Sequence, residues 1–231
     1  MKRTPSTDRW NDIDVLCLRL LPRMTSRLFV IALESAACIE EFVSGPTWHA
    51  VLHGRQQPMF DSVNLNRIRD EAHRQLERCR AADVAIVSID NPRYPALLRH
   101  ITYPPHVLFV RGHLRESDAV SLGVVGTRQC TQYGQAVTKL FAGECASAGL
   151  IITSGLAAGI DSYAHRAALD TGGVTYAVIA SGIDRIGPTP ASKLARSISD
   201  SGGCILSEYP CGVNALPPYF PQRNRIISGI S

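Results

Sequence analysis

From residue 119 onward, short apolar runs alternate with amphipathic segments, and glycine closes each amphipathic segment. The pattern predicts a strand over 119–125, a helix over 133–148 stopped by Gly149, and a strand over 150–153. It continues with a helix over 159–170 stopped by Gly172-Gly173, a strand over 174–180, a helix over 191–200 stopped by Gly202-Gly203, and a strand over 204–207. Strands that are apolar on every residue are buried on both faces. Strands of that kind alternating with helices build an α/β fold, here a Rossmann-like parallel sheet with helices on both faces. No other feature constrains the chain as strongly, because the order of elements also decides where the loops emerge.

Three of those loops carry glycine. They read Gly126-Thr127-Arg128, Ser154-Gly155-Leu156-Ala157-Ala158-Gly159-Ile160-Asp161 and Ser181-Gly182-Ile183-Asp184. Gly126, Gly155 and Gly182 are 29 and 27 residues apart, close to the ~30 residues of one strand-helix-strand unit. In a parallel sheet such loops leave from the same carboxyl edge, where ligands bind. Backbone amides in glycine loops and at helix starts attract phosphate.

The first part of the chain is different. Residues 11–80 read as helical, with an apolar stripe at Val15, Leu16, Leu18, Leu20 and Leu21. Leu65, Ile68, Ala72, Leu76 and Cys79 then recur at spacings of three and four over 64–82, which is one apolar face on a charged helix. Gly45-Pro46 and Gly54 interrupt this part. A small all-α domain over 1–82 is therefore expected ahead of the Rossmann-like domain over 83–231. Strand-like runs at 84–89 and 107–110 open the second domain.

A net charge of +4 over 231 residues permits a nucleic-acid partner without requiring one. No run reaches the ~18 apolar residues of a membrane span. The first residues carry no signal-peptide core, so a cytoplasmic protein is expected. The seven cysteines are scattered with no Cys-x-x-Cys pair, which argues against a disulfide framework and a zinc site.

Neither a Gly-x-Gly-x-x-Gly dinucleotide fingerprint nor a Walker A loop is present. Arg128, two residues after Gly126, stands where a guanidinium could hold a phosphate beside backbone amides; the plain alternative is a surface ion pair. Asp161 and His165 are four apart and face one way on a helix. With no third ligand nearby, a capping Asp161 and a core His165 are preferred over a metal or acid–base pair. No catalytic set, metal or cofactor is expected.

The string 220–225, Phe-Pro-Gln-Arg-Asn-Arg, combines an aromatic face, two guanidiniums and an amide. Stacking plus phosphate neutralisation is how single strands are held. A basic turn with a core Phe220 is an equally weighted alternative from this string alone.

Taken together, Val124-Val-Gly-Thr-Arg128, Tyr133-Gly134, Ser154 through Asp161, Ala164-His165, Leu206-Ser-Glu-Tyr-Pro210 and Phe220 through Ile227 resemble the DNA-processing protein A family, also called DprA or Smf. The resemblance extends upstream through Asn91-Pro-Arg-Tyr-Pro95 and residues 105–112, covering about 80–231. The helical first part is similar in kind to the small sterile-alpha-motif-like domain of that family.

The resemblance implies an extended Rossmann domain that binds single-stranded DNA, protects it during natural transformation and helps load the RecA recombinase. It implies no enzymatic activity, and a homodimer. By motif position it assigns DNA binding to Gly126, Thr127, Arg128, Ser154, Gly155, Leu156, Phe220, Arg223, Asn224 and Arg225. Three departures stand out. Residues 186–191 replace the family's Tyr-Pro-x-x-Asn, Leu21 through Thr25 replaces a glycine-rich hairpin, and the sequence stops at Ser231 where relatives continue. A sheet ending there is expected to leave an open edge. The rival readings are a nucleotide-binding enzyme of the related Rossmann-like superfamily, such as a nucleoside-monophosphate phosphoribohydrolase, and a small-nucleotide sensor. The former's Pro-Gly-Gly-x-Gly-Thr-x-x-Glu motif is absent.

Overall fold

The computed structural model describes residues 10–44, 63–115, 119–186 and 190–231. The helical part contains α1 (Asp12–Leu20), α2 (Ser26–Ser35), α3 (Ile39–Ser44) and α4 (Leu65–Ala81). Three of these start on a side-chain cap that accepts an otherwise unpaired amide. Asn11 accepts from Asp14, Thr25 from Leu28 and Asn64 from Arg67. The apolar stripe of α4 is buried at Ala72, Leu76 and Cys79, with Leu65 and Ile68 packed against the same core. The glycines expected to break this part, Gly45 and Gly54, lie outside the described residues.

One six-stranded sheet follows, in the order β1-β2-β6-β5-β4-β3. Its strands are β1 (Ala85–Ser88), β2 (Val107–Gly112), β3 (Ser121–Gly123), β4 (Ile151–Ser154), β5 (Thr175–Ile179) and β6 (Cys204–Ser207). Strands β3 to β6 are parallel as predicted. Strands β1 and β2 are antiparallel to each other, and β2 runs antiparallel to β6, with Phe109 opposite Ser207. The sheet is therefore mixed rather than wholly parallel. The cause is the β1–β2 connection, whose only regular segment is a 3-10 turn at Leu97–His100. Parallel pairing needs a full crossover, usually a helix.

The crossovers are α5 (Gln132–Ser147), α6 (Ile160–Asp170) and α7 (Pro190–Asp200). Each step moves to the next strand in the same direction, so right-handed connections put all three helices on one face. There Ile152 packs among Ala142, Ala146, Ala164, Ala167 and Ala168. The other face is covered by α8 (Tyr219–Ile230), whose Ile226, Ile227 and Ile230 join the core that includes Ile151. That core runs on without a break into Leu16, Phe29 and Phe42 of the helical part. Phe29 stacks on His106 at 4.8 Å between ring centroids.

The strand predicted over 119–125 shortens to three residues, and the other predicted elements after residue 119 agree to within about two residues. The string 220–225 is neither extended nor a turn. It forms the first turns of α8, where Pro221 is tolerated because first-turn amides have no intrahelical partner.

Candidate nucleic-acid interface

The first two glycine loops leave the carboxyl ends of β3 and β4 and pack on each other. A Cβ on Gly126 would lie 2.6 Å from Cγ1 of Ile160. Gly159, at φ +83°, leaves no room for a side chain against the Thr127 carbonyl, and the Ile160 amide donates to that same carbonyl at 3.2 Å. The Ser154 hydroxyl donates to the Val124 carbonyl at 2.5 Å. These contacts hold the loops as one platform whose outer surface is the exposed Val125, Gly126, Thr127 and Arg128.

Two buried charges clamp the second loop from below. The Asp161 carboxylate, near the start of α6, accepts the amides of Gly155 at 3.1 Å and Ala157 at 3.4 Å. Burial raises its pKa, while the Ala157 amide, Arg223 and the Gly126 and Gly155 amides pull it back. Arg223 reaches up from α8 and donates to the carbonyls of Gly155, at 2.7 Å, and Val178. Its Nε donates to the Asn224 side chain at 3.1 Å. Burial lowers the guanidinium pKa and the Asp161 charge opposes that fall. Leu156 is buried between these anchors at φ 59°, a backbone region that non-glycine residues seldom adopt.

Above the platform the Arg128 guanidinium lies over the Phe220 ring, 5.5 Å from its centroid. A cation at that distance is drawn to the negative face of the ring. Loop and helix, 92 residues apart in sequence, thus present one guanidinium–aromatic surface. Asn224 is exposed. Arg225 lies on the other flank of α8, bound to Glu208 at 2.6 Å and to the Gln222 carbonyl at 3.1 Å. Tyr209 stacks on Tyr219 at 4.2 Å and donates to Gln222 at 3.1 Å.

The ten residues assigned by resemblance therefore separate. Gly126, Thr127, Arg128, Phe220 and Asn224 belong to the outer surface, and Arg225 stands apart, paired with Glu208. Ser154, Gly155, Leu156 and Arg223 lie beneath it, and the side chains of Ser154 and Arg223 are engaged inside the protein. Arg223, expected to offer a guanidinium to phosphate, is 5% exposed, and its guanidinium donates to backbone carbonyls. A sequence signal for this existed, since Ile226, Ile227 and Ile230 stand three, four and seven residues after Arg223 and place it on the apolar face of α8.

Asp161 and His165 share a helix but not a site. His165 is fully buried, with Nδ1 2.6 Å from the Thr175 hydroxyl. That hydroxyl donates to the Ile152 carbonyl at 2.5 Å, so it accepts from His165 and the proton sits on Nδ1. Burial, with Arg223 adding to it, pushes the imidazole pKa down to about 3. No cluster of three or more potential metal ligands occurs among the described residues. The third glycine loop is tied elsewhere: the Gly182 amide donates to the Val213 carbonyl and Asp184 accepts the Gly212 amide, both at 2.8 Å. Residues 187–189 of the departing loop lie outside the described residues.

A family model described as DNA recombination-mediator protein A matches residues 85–231. Protein Smf of Escherichia coli K12 is 43% identical over 146 residues, which is 63% of this chain and 39% of that protein. The crystal structure of DNA processing protein A from Streptococcus pneumoniae superposes with a TM-score of 0.64 at 28% identity, covering 95% of this chain and 75% of that one. DNA processing protein A of Helicobacter pylori, solved to describe its single-stranded DNA binding mode, superposes at 0.56 with 30% identity, covering 63% and 66%. The chain spans about two fifths to one half of the length of the curated relatives it matches.

Proposed function

The chain belongs to the DNA recombination-mediator protein A family, and from that premise we propose that it binds single-stranded DNA on the surface made by the Gly126 loop, Arg128 and Phe220. The observation that carries this reading is the Arg128–Phe220 pair at the carboxyl edge of the sheet. It joins a phosphate-binding cation to an aromatic face, and a face can stack only on an unpaired base. Asn224 adds an exposed amide at the same edge. Ser154, Gly155, Leu156, Asp161 and Arg223 serve this surface by holding the loop rigid.

The reading includes binding without turnover. Asp161 is occupied by backbone amides and His165 by the sheet, so neither faces the exposed platform. Protection of incoming DNA during natural transformation and assistance to RecA, both cytoplasmic tasks, are proposed from the family alone. A homodimer is part of the same proposal. Its support is β3, the outermost strand of the sheet among the described residues, flanked by exposed Val120 and Val125 and by Tyr133, Leu140 and Phe141 of α5. Such an edge is a template for pairing with another chain. No helix of the described residues is long and apolar enough to cross a membrane.

A competition gel shift tests the reading. Single-stranded DNA is expected to displace a labelled oligonucleotide far better than duplex of equal length or a mononucleotide. Equal competition by duplex would reduce the interaction to charge attraction. Release of free base from a nucleoside monophosphate, lost in Asp161→Ala, would instead establish the enzyme reading.

A further inference from the structure

An open groove of about 650 Å³ lies on the flank of α8 that carries Arg225, away from Phe220. It is walled by Arg19 and Arg23 from the end of α1 and the turn after it, by Tyr103 and His106 ahead of β2, and by Glu208, Tyr209 and Arg225. Among the described residues, three arginines thus face one carboxylate, and that carboxylate is bound to Arg225 at 2.6 Å. Arg19 is half-buried with its guanidinium 5.7 Å from the centre of the Phe109 ring. Among the described residues, no carboxylate comes within 4 Å of Arg19 or Arg23 to form an ion pair.

His106 reports the resulting field. Burial first, and then Arg19 and Arg225, push its pKa down to about 4. It is neutral near pH 7 and leaves the groove able to accept an anion. The walls also offer ring faces, Tyr103 at 72% exposure and Tyr209 backed by Tyr219. Guanidiniums interleaved with exposed aromatics suit a nucleic acid strand better than a free inorganic anion.

We propose that this groove is a second subsite for single-stranded DNA, in which Arg19 and Arg23 of the helical part hold phosphates and Tyr103 stacks a base of a strand continuing from the Arg128–Phe220 surface. The inference rests on the function proposed above. Both surfaces draw on the same helix, Phe220 for one and Gln222 and Arg225 for the other, so a strand crossing α8 meets each in turn. The helical part then acts in binding as well as in packing, and it lengthens the occupied site beyond the glycine platform.

The test is fluorescence anisotropy with oligothymidylates of about 6 and about 20 nucleotides, since one binding fold takes roughly 4–16. Arg23→Asn is the chosen variant because Arg23 is exposed at φ 58°, a conformation asparagine tolerates. It is expected to weaken 20-mer binding several-fold and to lower the log–log salt slope by ~0.7, leaving the 6-mer unchanged. Tyr103→Ala should weaken the 20-mer with the slope unchanged. Arg128→Ala should weaken both lengths. If Arg128→Ala loses affinity while Arg23→Asn and Tyr103→Ala bind the 20-mer like wild type, the second subsite is wrong and the first reading stands. If wild type binds neither length, both readings fall. If thymidine monophosphate abolishes the Arg23-dependent gain at concentrations that leave 6-mer binding intact, the groove holds a free nucleotide and the proposal is overturned.

Discussion

Arg223 donates to the carbonyl of Gly155 at 2.7 Å, and a Cβ placed on that glycine would sit 2.5 Å from the same guanidinium. The arginine and the glycine each require the other. Arg223 can reach the loop only because residue 155 has no side chain, and the loop carbonyl has a donor only because Arg223 is there.

Gly155→Ala is therefore expected to destabilise the fold. Arg223 is buried with three acceptors, so it cannot swing aside without unpairing them. Overpacking of this kind costs about 1–3 kcal/mol, or roughly 2–4 °C of melting temperature per kcal/mol in a protein of this size. Arg223→Ala should cost at least as much, because two buried carbonyls lose their donor at about 1–3 kcal/mol each and the Asp161 charge loses a partner. Thermal melting decides the matter. An Arg223→Ala protein that melts like wild type but no longer binds DNA would return Arg223 to the ligand surface.

Arg128 and Phe220 should behave as a coupled pair. Arg128→Ala is expected to lower the salt slope for single strands by ~0.7, and Phe220→Ala to weaken binding by about 1–3 kcal/mol. Because the guanidinium lies on the ring, the double mutant should depart from additivity by about 0.5 kcal/mol or more. A binding double-mutant cycle measures this directly. Additive losses would mean that the two groups hold separate parts of the strand.

His165 makes folding sensitive to acid. Its folded pKa of about 3 lies below its ordinary value of 6.5. Between those values the unfolded chain binds a proton that the folded protein does not, so stability present above pH 6.5 is lost as pH falls toward 3. The slope is at most ~1.4 kcal/mol per pH unit. His106, lowered to about 4, acts with the same sign over a narrower window. Asp161, whose pKa is raised, acts with the opposite sign. Urea unfolding of wild type and His165→Gln at pH 7.5, 6 and 5 isolates the contribution. The wild type should lose more stability than the variant on acidification, and parallel losses would place His165 outside the buried core.

Much of this architecture is legible in the sequence. Periodicity located the strands and helices after residue 119, because an apolar run buried on both faces and a stripe repeating every three to four residues are local properties of the chain. The loop order followed, since successive parallel strands release their loops at one edge. The short turn at Leu97–His100 could have announced the antiparallel β1–β2 pair, as no crossover helix was available there.

What sequence could not settle was the fate of individual polar groups. Arg128, Arg223 and Arg225 are chemically identical, yet one lies exposed over an aromatic ring, one is buried under a loop and one is bound to a glutamate. Charge is a property of the residue, whereas burial and pairing depend on which distant elements arrive beside it. The meeting of Arg128 with Phe220, of Arg223 with Gly155, and of Arg19 with Phe109 joins segments far apart in sequence. Local pattern alone dictates the α/β architecture and the edge where its loops emerge. Only the tertiary packing of α8 across the sheet decided which arginines face solvent, because burial is set by neighbours that no local pattern contains.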